Sequence, residues 1–400
     1  MKTLPGSPLS YWIDSTPETN YDASVEGVTV DVAIVGAGIA GLTAAILLKR
    51  AGKTVAVIES KRIATGVSGH TTAKVTALHQ LIYADLIDQH GEDTARIYAE
   101  SNQTAVEQVA NLVDAYDIDC DFSRQTTYTF AETLENLPKI EAEVKAAHKI
   151  GLAAELVTET SLPFSIAGAI KLDNQAQFHV RKYLIGLASQ IPGEGSYIID
   201  DTRVKTVNEG NPCQVKTDRG TLRATDVIVA TNLPILDQGL FFAKNYPKRS
   251  YIVAGRIAPE DAPDGMFIGT GSDYHSIRTT PYGDALLLMV GGKGHKVGQA
   301  DDTEERYQQL ETYMLERFAV NSVDYRWSTQ DMVSFDKLPY IGRLTPMNNH
   351  IYVATGFSLW GMSKGTLSGM ILSDLIVGRE NSWAKTYDSL RATPFVSQNS

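Results

Sequence analysis

The strongest pattern of apolar and polar positions lies near the N-terminus. After Asp31 the run Val32-Ala-Ile-Val35 is continuously apolar and rich in β-branched residues, and it ends on closely spaced glycines. Such a run predicts a strand buried on both faces of a parallel sheet. Ala and Leu dominate from Ile39 to Ala51, which predicts a helix, and Val55-Ala-Val-Ile58 predicts a second strand closing on Glu59. Farther on, apolar residues recur at helical spacing from Tyr83 to Tyr116, with a break near Gly91, and again over 133–150, stopped by Gly151. Helices are also predicted over 179–190, 303–318 and 361–377. Short strands are predicted over 125–130, 169–172, 197–199 and 204–207. A hairpin over 214–217 and 221–224 follows, turning at Arg219-Gly220. Residues 226–232 and 350–356 read as buried strands; 249–257, 265–269, 276–280 and 285–291 read as antiparallel strands, and 325–334 as extended. Residues 1–28 are expected to form an irregular arm, with Tyr11-Trp12 packed on the body.

The glycines bring in the first chemistry. In Gly36-Ala37-Gly38-Ile39-Ala40-Gly41 the first glycine suits a tight turn, the second lets a pyrophosphate approach the main chain, and the third lets helix and strand pack closely. Phosphates then meet the positive end of the helix dipole, and Glu59 accepts hydrogen bonds from ribose hydroxyls. Strand, glycines, helix, strand and acid in this order predict a dinucleotide site. The order of elements predicts an α/β fold: a Rossmann-like nucleotide-binding domain with an inserted domain of antiparallel sheet plus helices. Its expected limits are 1–82, 172–240 and 336–400 for the nucleotide domain, and 83–171 and 241–335 for the inserted one.

Composition changes the picture only by exclusion. The 400 residues carry a formal net charge of −11 and no basic run, which argues against a nucleic-acid partner. Cys120 and Cys213 stand far apart and are expected to be reduced thiols; no metal-ligand set is expected. The first residues lack the apolar stretch of a signal peptide. The uncharged run Val32–Leu48 is bounded by Asp31 and Lys49 and belongs to the nucleotide fold. A cytoplasmic protein without a membrane span is therefore expected.

Later segments distinguish FAD from NAD. Asp226–Ala230 leads into Thr231-Asn232, and Tyr352–Gly356 leads through Phe357 and Trp360 to Gly361-Met362 and a helix N-terminus. A flavin needs this second anion-friendly helix end, because its N1–C2=O edge carries negative charge when reduced. On these residues the sequence resembles the D-amino acid oxidase/glycine oxidase/sarcosine oxidase superfamily of FAD-dependent amine oxidoreductases. The resemblance runs through the fingerprint, the Ser60–Lys74 loop, Asp336-x-x-Pro-x-Ile-Gly342 and Gly356-Phe-x-x-x-Gly361. Ser68-Gly-His-Thr-Thr-Ala-Lys74, Tyr340–Thr345 and Trp360–Gly365 are similar to a bacterial subgroup whose members often carry a C-terminal Rieske domain. These residues contain no Cys-x-His and Cys-x-x-His pair, so that domain is expected to be absent. Electrons are then expected to pass to oxygen or to a separate iron–sulfur or quinone partner.

The resemblance implies oxidation of a C–N bond in a small amine or amino acid, by hydride transfer to flavin N5 and hydrolysis of the imine. A tRNA-base-modifying flavoprotein, also found in the superfamily, is disfavoured by the acidic charge. Expected cofactor contacts are Gly36, Ala37, Gly38, Ile39, Ala40, Gly41, Glu59, Ser60 and Lys61 around the nucleotide. From the loop they are Ser68, Gly69, His70, Thr71, Thr72 and Lys74, and from later strands and turns Val204, Ala230, Thr231, Gly342, Gly356, Phe357, Trp360, Gly361 and Met362. His70 occupies the place where dimethylglycine- and sarcosine-dehydrogenase-like relatives join a histidine to the flavin 8α-carbon. A covalent link, a non-covalent contact and a solvent-facing histidine all remain open there. Candidates on the substrate side are Tyr251, Arg278, Lys293, His295 and Asp331. Relatives commonly read Trp-x-x-x-Arg-Pro-x-x-x-Asp, the arginine clamping a substrate carboxylate; here Trp327 and Asp336 keep their places, but Asp331 stands where the arginine would be. Either the substrate amine has no carboxylate there, or Arg278 or Arg343 has moved in.

Overall fold

A computed structural model describes residues 4–271, 273–298 and 302–392; the end of the expected C-terminal segment, 393–400, lies outside the described residues. The fingerprint strand Thr29–Val35 sits inside the first sheet, parallel to Thr221–Val229 on one side and to Val55–Ile58 on the other. Ile351–Thr355 and Tyr197–Ile199 extend the parallel array outward, and Tyr340–Arg343 closes one edge antiparallel. Val32, Ala33 and Ile34 are fully buried, as a strand covered on both faces requires.

The fingerprint helix Ile39–Arg50 is buried almost all round because the C-terminal helix Gly361–Val377 covers it. The two helices meet through small residues. A Cβ at Gly365 would lie 2.6 Å from Ile39 Cγ2, and one at Gly369 would lie 2.8 Å from the Ala44 nitrogen. Gly365→Ala is therefore expected to cost about 1–3 kcal/mol, as overpacking does. A urea titration checks this; an unchanged midpoint means that the helices separate freely.

The second sheet runs Tyr325–Ser334, Asn245–Ile257, Ala285–Lys296, His275–Tyr282, Met266–Gly269, Ser123–Ala131, Gly168–Gln177, Lys74-Val75. Neighbours are antiparallel except Met266–Gly269 beside Ser123–Ala131, which is parallel and not the expected arrangement. The first sheet's Thr221–Val229 replaces two expected strands with one. Its start pairs with Cys213–Thr217 and its remainder with the fingerprint strand, so the polar Thr225 does not interrupt it. Gly168–Gln177 is longer than expected and lies wholly in the second sheet, across the 171/172 position. Ala154–Val157, not predicted, is an edge strand whose Glu155 and Leu156 are exposed, so it lacks an apolar alternation. At Gly91 the long helical pattern divides into Tyr83–His90 and Glu92–Ala115.

Among the described residues, the N-terminal arm contains one short helix, Tyr11–Asp14. Trp12 is fully buried, and its indole N–H donates to the Thr71 carbonyl at 2.7 Å. The arm thus braces the Ser60–Lys74 loop against the body. Among the described residues, no helix is long and apolar enough to cross a membrane.

Candidate active site

A cleft of about 490 Å³ is lined from both sheets. Its first wall is the turn after the fingerprint strand. Gly36 has φ 108°, and Gly38 precedes a helix whose N-terminus has no side-chain cap of its own. Main-chain N–H groups at that end are already directed: Ala37 donates to Glu59 Oε2 at 2.9 Å, and Ile39 donates to Ser68 Oγ at 3.1 Å. The other Glu59 oxygen accepts from the Lys61 N–H at 3.0 Å, which fixes the carboxylate at the end of its strand. Gly41 does not line the cleft; a Cβ there would sit 2.0 Å from the Gly36 carbonyl, so it serves the close packing of helix on turn. Bare glycines, a helix N-terminus and a fixed acid fit the ADP half of a dinucleotide.

Ser60, Lys61, Ser68, Thr71, Thr72, Lys74, Val204, Ala230 and Thr231 also line the cleft. Gly69 and His70 do not. The Ser10 hydroxyl binds the Gly69 carbonyl, and the His70 ring turns back to the Gly66 carbonyl at 2.8 Å. His70 also receives the Trp327 indole N–H on its own carbonyl, so its main chain is held while its ring faces its own loop.

Phe357, Trp360, Gly361 and Met362 bring the N-terminus of the C-terminal helix to the cleft. The turn ahead of it is unusual: Ser358 and Leu359 have φ values of 54° and 70°, a conformation costly for a leucine. Asp331 holds it. One carboxylate oxygen accepts from the Leu359 N–H at 2.7 Å and the other from the Met332 N–H at 2.8 Å. Asp331 lines the cleft but is buried, which raises its carboxyl above the ordinary range against those two hydrogen bonds. Gly342 and Gly356 lie behind this wall rather than on it, packed on Ser389 and Asn245.

The other substrate-side candidates separate. Tyr251 lines the cleft, and His295 stands behind it, its Nε2 2.9 Å from the Tyr251 hydroxyl. Lys293 pairs with Asp273 away from the cleft. Arg278 is buried, lies 5.4 Å over the Trp12 ring and donates to the Thr72 and Ala73 carbonyls at 2.9 Å. It staples the loop and does not reach the cleft. Arg343 is exposed beside Asn349. The basic residues on the cleft wall are Lys61, Lys74 and Arg203, and Lys61 and Arg203 flank the Glu59 end.

Residues not anticipated from the sequence complete the site. Gln80, Tyr274, Ser276, Thr329 and Leu359 line it, and behind Trp360 lies a buried polar cluster. His79 stacks on Trp360 with centroids 4.7 Å apart and meets the Tyr98 and Ser363 hydroxyls. Burial, and then the Lys364 charge, push its imidazole well below the usual histidine range. Lys364 lies 5.4 Å from the Tyr98 ring centroid; burial brings its amine down to about 7, resisted by the charges of Asp331 and Asp336. The signal was present: Lys364 is the one charge in the first two turns of an otherwise small and apolar helix. Among the described residues no cluster of His, Cys, Asp and Glu is arranged to hold a metal.

The family model described as DAO, FAD dependent oxidoreductase, matches residues 31–375. The Bacillus subtilis protein YhfW, named for a Rieske 2Fe-2S iron-sulfur centre, is 34% identical over 388 residues, spanning 96% of this chain and 76% of that protein. Gamma-glutamylputrescine oxidoreductase of Escherichia coli is 25% identical over 374 residues, spanning 90% and 86%. Among solved structures, glycine oxidase from Geobacillus kaustophilus superposes with a TM-score of 0.76 at 19% identity, over 92% of this chain and 100% of that one. L-proline dehydrogenase from P. horikoshii does so with a TM-score of 0.74 at 18% identity, over 92% and 98%. These structures share the fold.

Proposed function

Given that the chain belongs to the DAO family of FAD-dependent oxidoreductases, we propose that it oxidises the C–N bond of a small amine lacking a carboxylate next to the reacting carbon. The observation that carries this reading is the wall opposite the cradle. It presents Tyr251, Tyr274 and Trp360 with no arginine among them, and its one carboxylate, Asp331, is taken up by two main-chain N–H groups. FAD, the family's cofactor, supplies the two-electron acceptor. The chain binds, orients and excludes water. Aromatic faces attract a cationic amine, worth about 0.5–2 kcal/mol each when desolvated. The N-terminus of helix Gly361–Val377 offers a positive field where it meets the cleft. Catalysis then rests on orientation and a fixed electrostatic surround rather than on a strong base at the C–H bond. The resulting iminium is hydrolysed by water to a carbonyl compound and an amine.

Anaerobic bleaching of the flavin, read by absorbance, tests this. The panel is benzylamine, N-methylbutylamine and putrescine against glycine, sarcosine and D-alanine, with glycerol 3-phosphate as a C–O substrate. The amines are expected to bleach at least about tenfold faster than the amino acids, the low end of what one unmet charge costs. Bleaching by glycerol 3-phosphate alone overturns C–N oxidation; bleaching by amino acids alone overturns the carboxylate argument. For the acceptor, the likeness to a protein named for a Rieske 2Fe-2S centre supports transfer to an iron–sulfur centre rather than to oxygen. Fast dye reduction with slow oxygen uptake fits that choice.

A further inference from the structure

Lys74 ends the loop that leads out of the nucleotide site and starts the strand Lys74-Val75, paired with Gln177 and Ala176. Its side chain is buried yet lines the cleft. Nζ donates to the Phe267 carbonyl at 2.5 Å and to the Ser276 hydroxyl at 2.6 Å, both on strands of the second sheet. Among the described residues no carboxylate lies within ion-pair distance of it. The charged group acting on it is Arg278, from the strand His275–Tyr282, and that charge is positive. The other titratable groups lining the cleft are Glu59, Lys61, Arg203, Tyr251, Tyr274 and Asp331, and His275 precedes Ser276 on its strand; among the described residues none of them is hydrogen-bonded to Nζ. A buried amine with two N–H bonds given to fixed acceptors, a cation beside it and no counter-ion is best accommodated neutral, with its lone pair free.

We propose that Lys74 is the catalytic proton acceptor that converts the bound substrate ammonium to the neutral amine. This rests on the amine-oxidation reading above. The step balances simply: an N–H bond of the substrate ammonium breaks, an N–H bond forms at Lys74 Nζ, and the pair left on substrate nitrogen makes the α-hydrogen transferable as hydride. No electrons change hands between Lys74 and substrate, and the proton returns to water before the next turnover. Burial, and then the Arg278 charge, hold the Lys74 amine well below the ordinary lysine range, which agrees with an acceptor ready at neutral pH.

The test uses the holoenzyme and the fastest amine of the panel, in anaerobic stopped-flow from pH 6 to 10. Lys74→Met is expected to bleach about 10²–10⁴-fold more slowly than wild type at pH 7, the range for losing a general base. The deficit shrinks as pH approaches the amine's own ionisation. Lys74→Arg keeps a cation but cannot accept a proton, so it is expected to be equally slow; recovery in Lys74→Arg, or a deficit independent of pH, overturns the assignment. Nitrogen-15 NMR of the lysine ζ positions provides a readout independent of turnover. A signal missing in Lys74→Met is expected to titrate well below 10.5 in the wild type, and titration at or above that value also overturns the proposal. If no amine bleaches the wild-type flavin, the functional reading fails instead; bleaching by wild type and Lys74→Met with one shared pH profile removes Lys74 alone.

Discussion

Gly36→Val is expected to give a folded but colourless protein, with FAD affinity reduced at least about a hundredfold. Two costs coincide at this residue. Its φ of 108° lies outside what a β-branched residue adopts, and a Cβ would stand 2.6 Å from the Ala230 carbonyl, a main-chain atom of the neighbouring strand end. Backbone strain of this kind costs about 1–3 kcal/mol and overpacking about as much again. The chain relieves both by moving the turn, and the turn presents the N–H groups meant for the pyrophosphate. A shift of about 3 kcal/mol is a factor of roughly a hundred in affinity. Gly66→Ala is the matched control: Gly66 also lines the cleft, but a Cβ there meets nothing within 4 Å. Fluorescence titration with FAD, beside a melting curve, reads the outcome. A yellow Gly36→Val protein refutes the assignment of this turn to the cofactor.

The legibility of that turn explains what the sequence discloses and what it withholds. Gly36, Gly38, Gly41 and Glu59 follow from short-range constraints: a turn, a close approach, a helix start and an acid at a strand end, all within one βαβ unit. The turn Gly356–Gly361 is equally local. Arg278 shows the opposite case. As a sequence position it is a free cation fit for a carboxylate; in the fold it is spent on the Thr72 and Ala73 carbonyls and the Trp12 ring, from segments remote in the chain. Asp331 likewise reads as a group facing the substrate, whereas one of its oxygens holds Leu359 in a left-handed conformation across two strand ends. Lys74, His79 and Lys364 gain their character chiefly from burial. Side-chain desolvation depends on what other elements cover, and no spacing rule in one segment reports it.

Burial also yields an expected result in which two residues act with opposite sign in adjoining pH windows. Lys364 is brought from its ordinary 10.5 to about 7, chiefly by burial. Between those values the unfolded chain binds more protons than the folded one, so the wild type gains stability as pH rises. Glu143 is raised by burial from 4.5 to about 7, although it accepts the Tyr83 and Ala84 N–H groups at 2.7 and 2.9 Å and so caps helix Tyr83–His90. Between pH 4.5 and 7 the folded chain binds more protons, so the wild type loses stability there as pH rises. At about 1.4 kcal/mol for each pH unit crossed, the two effects amount to about 5 and about 3 kcal/mol over their windows. Each constant cost of substitution, such as the lost cap hydrogen bond in Glu143→Gln or the altered packing of the buried side chain in Lys364→Met, sets an offset but not a slope. The depressed His179, His275 and Lys74 titrate in variant and wild type alike and cancel in the difference, while His79, which loses the Lys364 charge in Lys364→Met, is held below the ordinary histidine range and so titrates below the window from pH 7 to 10.5. Urea denaturation at stepped pH should therefore show the stability of Lys364→Met relative to wild type falling from pH 7 to 10.5. That of Glu143→Gln should rise from pH 4.5 to 7. A flat difference for Lys364→Met would mean that its ammonium stays charged, and that Asp331 and Asp336 compensate its burial in full.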